Sequence, residues 1–495
     1  MRTRKAALNF ISVLLDQLSR LTVLFLLTPF ILLNMGEIAY GYWQIILRYG
    51  AQLVNFDGRP SEVLKWSIAR NQFTSEEVKN QFIADGIGVF LIASPIMILI
   101  SFACYYAYPL MINIEDYENS FRVSGYIYTI NIFILSLTAL ADGLFRGMNI
   151  GYKRMGLMAF LILVTGLFSY IAVKHGGGLI GLSIAQLLGS ILYLSVFLLV
   201  IKKHLPWVNI LKPEKKRVIL FAKKSFWFSI WGFLSAILFL GEVIFLSFFS
   251  TANMVASYSV SAFIIQTVIV FVAVAIGAVM PGFGQLIERK EFKKASDIDL
   301  QARNLLGILA FSGMAIILLL NESFVSLWVG IDRHVNNFEL LLMIFSAIQV
   351  IYMRYYAVII NLNIEIKKKV KFGLISVFIM STLSFILVPK YGIAGICVSM
   401  MIGRLPLYFS MIVFTYKNII TMKKPSNGNF LNLAIRIIQI ALCFYMSELI
   451  GVNSYFELFF YAICASVILI SANTLVLNKV DREIILDRFR ILLKG

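Results

Sequence analysis

A chain of 495 residues that is 60% hydrophobic and only 14% charged, with a mean hydropathy of +0.85, is too apolar for a water-soluble globule and reads as a polytopic membrane protein. Its formal charge of +18, from 44 basic and 26 acidic side chains, would suggest nucleic acid in a soluble chain, but the basic residues gather in short loops between apolar runs and so point to lipid headgroups instead. Cys104, Cys397, Cys443 and Cys464 lie in apolar runs without paired spacing, which indicates neither a disulfide framework nor a zinc site.

The opening Met1-Arg-Thr-Arg-Lys5 with the apolar stretch behind it looks like a signal peptide. That stretch runs past Arg20 to Leu33 without a small-residue cleavage site, so it reads as an uncleaved first span over 8–33. Asn9, Ser12, Asp16 and Arg20 recur in it at steps of three and four and stack on one side of a helix. The second span, 38–56, repeats the pattern with Tyr40, Gln44, Arg48, Gln52 and Asn55. A guanidinium in hydrocarbon is costly unless it meets a partner or a water-filled cavity, so two neighbouring stripes with central arginines predict a cationic cavity. Asp16 stands one turn before Arg20 with the acid N-terminal, and the two are expected to pair.

Further spans, each long enough to cross about 30 Å of hydrocarbon, follow at 82–112, 121–144, 155–173, 179–201, 226–250, 255–280, 304–321, 338–360, 371–389, 391–415, 431–450 and 455–477. The fold expected is an all-α polytopic membrane protein of about 14 transmembrane helices. Asp142 and Arg146, an i, i+4 pair at a helix end, are assigned a structural role. On the seventh span Ser229, Gly232, Ser235 and Phe239 form a stripe ending in Glu242, a carboxyl placed to bind and release a proton and so to couple transport to an ion gradient. Arg354 and Arg404 are further substrate-binding candidates, the latter between Gly403 and Pro406, whereas Arg436, a few residues into its span, reads as a snorkelling anchor.

Positive charge sets the orientation. Five arginines lie in spans (Arg20, Arg48, Arg354, Arg404, Arg436), Arg122, Lys174, Arg333 and Lys390 lie on one side, and the rest of the 44 basic residues lie on the other with both termini, which is therefore the cytoplasm. The chain also repeats. Gly178-Leu-Ile-Gly181 with Gly189 recurs as Gly392-Ile-Ala-Gly395 with Gly403, and Gly36-Glu-Ile-Ala-Tyr-Gly41 faces Asn253-Met-Val-Ala-Ser-Tyr258. The expected division is a six-helix lobe over 1–201, a basic cytoplasmic linker over 202–224, a second six-helix lobe over 225–415, two additional helices over 416–477 and an amphipathic interfacial tail over 478–495. No glycine-rich phosphate loop, HExxH or GxSxG occurs, and His175, His204 and His334 are isolated, so neither an enzyme nor a cofactor is expected.

Leu27-Thr-Pro-Phe-Ile31 followed by Gly36-Glu-Ile-Ala-Tyr-Gly-Tyr-Trp43, and Tyr258-Ser-Val-Ser261 running to Met280-Pro-Gly-Phe-Gly284, resemble the polysaccharide-transporter family. These are the Wzx-type O-antigen and polysaccharide flippases of the multidrug/oligosaccharidyl-lipid/polysaccharide (MOP) exporter superfamily. The resemblance spans essentially the whole chain. It implies two six-helix lobes around a central cavity, and movement of undecaprenyl-pyrophosphate-linked oligosaccharide (an O-antigen, capsule or exopolysaccharide repeat unit) across the bacterial cytoplasmic membrane by alternating access. It implies as partners the lipid-linked substrate, membrane lipids and the polymerase and chain-length proteins of the same pathway. Related peptidoglycan-lipid flippases carry arginines on their first two helices, at the positions of Arg20 and Arg48. With these, Asp16, Gln44, Gln52, Arg354 and Arg404 make up the expected substrate site, and Glu242 the coupling site. Two rivals stay open: a cation or drug exporter of the same superfamily, which should place carboxylates in its cavity, and a membrane glycosyltransferase or ligase acting on the same lipid, which should carry a sizeable external loop.

Overall fold

The computed structural model describes residues 2–112, 114–154, 156–288, 291–362, 366–418, 427–477 and 482–483, and among them there is no β-strand. Fifteen helices follow in order: α1 Arg2–Leu53, α2 Pro60–Arg70, α3 Glu76–Met111, α4 Glu118–Gly147, α5 Leu157–Lys174, α6 Gly178–His204, α7 Lys215–Leu240, α8 Glu242–Phe249, α9 Ala252–Glu288, α10 Phe292–Val329, α11 Asn337–Leu362, α12 Ile366–Gly403, α13 Leu405–Asn418, α14 Asn427–Ser447 and α15 Tyr455–Leu475. In hydrocarbon every peptide N–H and C=O must be satisfied within the chain, and only a helix does this locally. The expected interfacial helix over 478–495 falls outside the described residues apart from 482–483.

Among the described residues ten helical stretches are long and apolar enough to cross a membrane. Two of these stretches, Ile11–Asp57 and Ile366–Tyr416, each take in two expected spans that meet at a glycine: Gly36 in α1 (φ 82°, ψ 171°) and Gly392 in α12 (φ 51°, ψ −122°). A side chain is strained at such angles, and glycine is not, so the kinks sit at the glycines that open the repeated motifs. The seventh span is broken at Gly241 into α7 and α8, which bend by 68°. With the shorter apolar helix Asn432–Ser447, these helices account for the fourteen expected spans. The twelfth expected span, 391–415, is itself interrupted at Arg404, where α12 ends and α13 begins.

The chain divides into two compact units, Met1–Ala256 with Ile366–Leu374 and Ser257–Glu365 with Ile375–Gly495. In the first, α2 is an amphipathic helix between the second and third spans that the span reading passed over. Pro60, Val63, Leu64 and Ile68 are its buried face. It lies tightly on α4 because Gly143 and Gly147 there leave room for the Ser61 carbonyl and the Ile68 side chain, which a Cβ would meet. Phe90, Leu144, Phe145, Phe197 and Phe221 complete this core.

In the second unit α10 packs against α11, α14 and α15. Here one expectation is corrected: Arg436 is not a snorkelling anchor but is 9% exposed. Its guanidinium fills the space left by Gly307, lies 5.5 Å from the Phe311 ring centroid and donates through Nε to Asn473 Oδ1 at 3.3 Å. Asn473 Nδ2 donates in turn to Ser312 Oγ (2.9 Å) and Gln439 Oε1 (2.7 Å). Sequence position placed Arg436 near a span end; the pull inward comes from amide and hydroxyl partners on α10 and α15.

Candidate functional site

Within the first unit both halves of α1 join α4, α5 and α6 around a cavity of about 390 Å³. From the first half of α1 come Arg20, Val23, Leu24, Leu27, Thr28 and Ile31, whose steps of three and four put them on one face. After the Gly36 kink the same helix returns with Tyr40, Trp43, Gln44 and Leu47. Gly166 of α5 allows the close approach to Val23 that seals this side. The far wall carries Tyr128 and Asn131 of α4, Ser169 of α5, and Gln186, Ser190 and Tyr193 of α6.

Arg20 is the one charged residue in the lining, which contains no Asp or Glu. The expected pair within the helix is corrected. Asp16 Oδ2 meets Arg154 Nη1 at 3.4 Å, Arg154 Nη2 reaches Asp142 Oδ1 at 3.1 Å, and Asp142 Oδ2 binds Arg146 Nε. Asp16 is drawn away by an arginine distant in sequence, and among the described residues no carboxylate pairs with Arg20. The expected pair of Asp142 and Arg146 is formed. Around Arg20 stand neutral polar groups: Tyr40 interacts through side-chain hydrogen bonds with Thr28 and Gln44, and Gln186 Nε2 donates to Ser169 Oγ at 3.4 Å. Amides, hydroxyls and aromatic faces around a single guanidinium are groups that can hydrogen-bond and stack on an anion attached to a hydroxyl-rich group.

The structure thus brings Arg20 and Gln44 into one cavity and leaves Asp16, expected in the substrate site, outside the lining and against Arg154. Arg48 is half-buried one turn beyond Gln44, near enough for its charge to act on Tyr40, but it is not in the lining. Gln52, a turn further, is buried with neither amide atom hydrogen-bonded. Glu242 is buried and is the first residue of α8, just after the bend, where the open N–H groups of a helix start favour an acidic residue. Arg354 and Arg404 belong to the second unit, and Arg404 has no exposed surface, its Nη1 donating to Ser346 Oγ at 2.7 Å. Asn131 and Gln186 escaped the sequence reading; each is a polar residue near the middle of an apolar span, and that was their signal.

Comparison with known proteins bears on the fold. The family described as polysaccharide biosynthesis protein matches residues 65–287. Lipid II flippase MurJ, in its inward closed conformation, superposes with a TM-score of 0.68 at 16% identity, over 94% of this chain and 98% of that one. The chain has the fold of this flippase. A multidrug resistance MATE family transporter of the MOP superfamily gives a TM-score of 0.62 in its inward-facing conformation (14% identity, 83% of this chain, 94% of that one). The outward-facing conformation of such a transporter gives 0.53 (14% identity, 84% and 96%). No curated protein matches the chain by sequence. The solved proteins that share this fold are a flippase and multidrug transporters, and the multi-pass helical architecture is common to them and this chain.

Proposed function

We propose that this MOP-fold chain is a flippase for a polysaccharide precursor, carrying undecaprenyl-pyrophosphate-linked oligosaccharide across the bacterial cytoplasmic membrane by alternating access of two six-span lobes, 1–201 and 225–415, with both termini in the cytoplasm. One observation carries the reading: Arg20 faces the cavity with no carboxylate partner and no acidic residue in the lining. A cavity without an acid suits an anion and is a poor host for a cationic drug. At about 390 Å³ it falls in the size range of small-ligand sites. It would therefore take the pyrophosphate and adjoining sugar, leaving the polyprenyl tail in lipid. Arg20 holds the pyrophosphate as a bidentate fork and Arg48 adds charge behind it. Gln44, Asn131 and Gln186 meet sugar hydroxyls, and Trp43 and Tyr128 offer ring faces. Gln52, Arg354 and Arg404 act, in this reading, at other stages of the cycle, and Glu242 is the ion-coupling group. The chain is a carrier that leaves its substrate chemically unchanged and hands it to the polymerase and chain-length proteins of the pathway.

Cells carrying Arg20→Ala or Arg48→Ala are expected to lose surface polysaccharide at normal protein level and to accumulate undecaprenyl-linked oligosaccharide on the cytoplasmic leaflet. Arg20→Lys is expected to recover part, because an ammonium keeps the charge and loses the fork. Full export by the double alanine variant would contradict the assignment.

A further inference from the structure

We propose, resting on the reading of Arg20 as the anion-binding group, that Arg154 is a positioning residue: it keeps Arg20 open to substrate by holding Asp16 away from it. Asp16 stands one turn before Arg20 on the same helix, acid first, the arrangement in which a carboxylate and a cation four residues apart attract each other best. Left alone, this pair would neutralise the only charge in the cavity lining. The pair does not form, because Arg154 intervenes from the turn Gly151–Arg154 that leads into α5. One guanidinium nitrogen is 3.4 Å from Asp16 Oδ2 and the other 3.1 Å from Asp142 Oδ1, both largely buried, and the group lies 5.7 Å from the Phe197 ring centroid.

The charges balance in a way that matters. Asp16 and Asp142 are matched by Arg154 and Arg146, so Arg20 is left as the uncompensated cation. Asp16 is also poised to turn back. Its Oδ1 is buried and accepts no hydrogen bond, and its contact with Arg154 is longer than a charge-assisted bond prefers. Removal of Arg154 would leave a largely buried carboxylate with two cations whose charge still acts on it, Arg20 and Arg146, and Arg146 is already held by Asp142, which leaves Arg20 to pair with it. The substrate's phosphate would then compete with a carboxylate on the same helix.

Calorimetric titration of farnesyl pyrophosphate into the full chain in detergent micelles tests this. Arg20→Ala is expected to abolish binding; unchanged binding there overturns the parent reading, independently of Arg154. Given that dependence on Arg20, Arg154→Gln is expected to weaken binding about tenfold, Arg154→Lys to retain most of it, and Asp16→Asn introduced into Arg154→Gln to restore it. That recovery is one a merely structural role would not give. Binding at wild-type strength by Arg154→Gln, or no recovery in the double variant, overturns the proposal. Asp16→Asn alone supplies a measurement that does not depend on Arg154→Gln folding: it is expected to bind at least as tightly as wild type, and a loss of binding would overturn the proposal.

Discussion

A guanidinium that opens on a cavity with no counter-charge beside it offers its charge and its fork of donors to an incoming anion. Arg20 is in that position, and the protein keeps it so by satisfying Asp16 elsewhere. Glu242 presents the opposite chemistry, a buried acid at the start of α8 beside the bend at Gly241. With Glu242 as the coupling group, Glu242→Gln is expected to bind substrate yet lose the response of transport to an imposed pH gradient in proteoliposomes. Transport at the wild-type rate with the response intact would remove it from the coupling step. Arg20 and Gln44 were legible in the sequence because both lie on stripes of polar residues at helical spacing. The partner of Asp16 was not, since Arg154 lies 138 residues away and only the packing of α1 against the α4–α5 turn makes them neighbours. Arg404 and Arg436 show the same limit: position within a span does not say whether a guanidinium faces lipid, water or, as here, buried hydroxyls and amides.

At the scale of elements, the helices α14 and α15 are joined to α10 by a polar network centred on Asn473, which bonds Arg436, Gln439 and Ser312 at once. Deleting a group that satisfies several buried partners strands all of them, at about 1–3 kcal/mol for each unsatisfied group. Asn473→Leu, which keeps the volume and removes the amide, is therefore expected to lower the melting temperature in detergent by several degrees, while Ile463→Ala at the exposed face of α15 should leave it nearly unchanged. Equal melting temperatures for Asn473→Leu and wild type would mean the network adds nothing. The spans themselves were readable from hydropathy, and the breaks at Gly36 and Gly392 fall on the glycines of the internal repeat. The short helix α2 was missed because a hydropathy window tuned to spans ignores an eleven-residue amphipathic segment. Its buried face, from Pro60 through Val63, Leu64 and Ile68, is nevertheless written at helical spacing.

For the whole molecule, composition and loop charge pointed to a many-spanning membrane protein, and superposition on MurJ over 94% of the chain gives the architecture. What neither provides is the cargo, because the same fold serves MATE multidrug transporters as well. The charge of the cavity is what separates these possibilities, and transport can be measured against it. The decisive measurement is flipping of undecaprenyl-pyrophosphate-linked oligosaccharide in proteoliposomes containing the purified chain, with a cationic dye as the competing cargo. The wild type is expected to move the lipid-linked oligosaccharide and not the dye, and Arg20→Ala with Arg48→Ala to move neither. Dye transport without lipid flipping, or lipid flipping that survives loss of both arginines, would contradict the account.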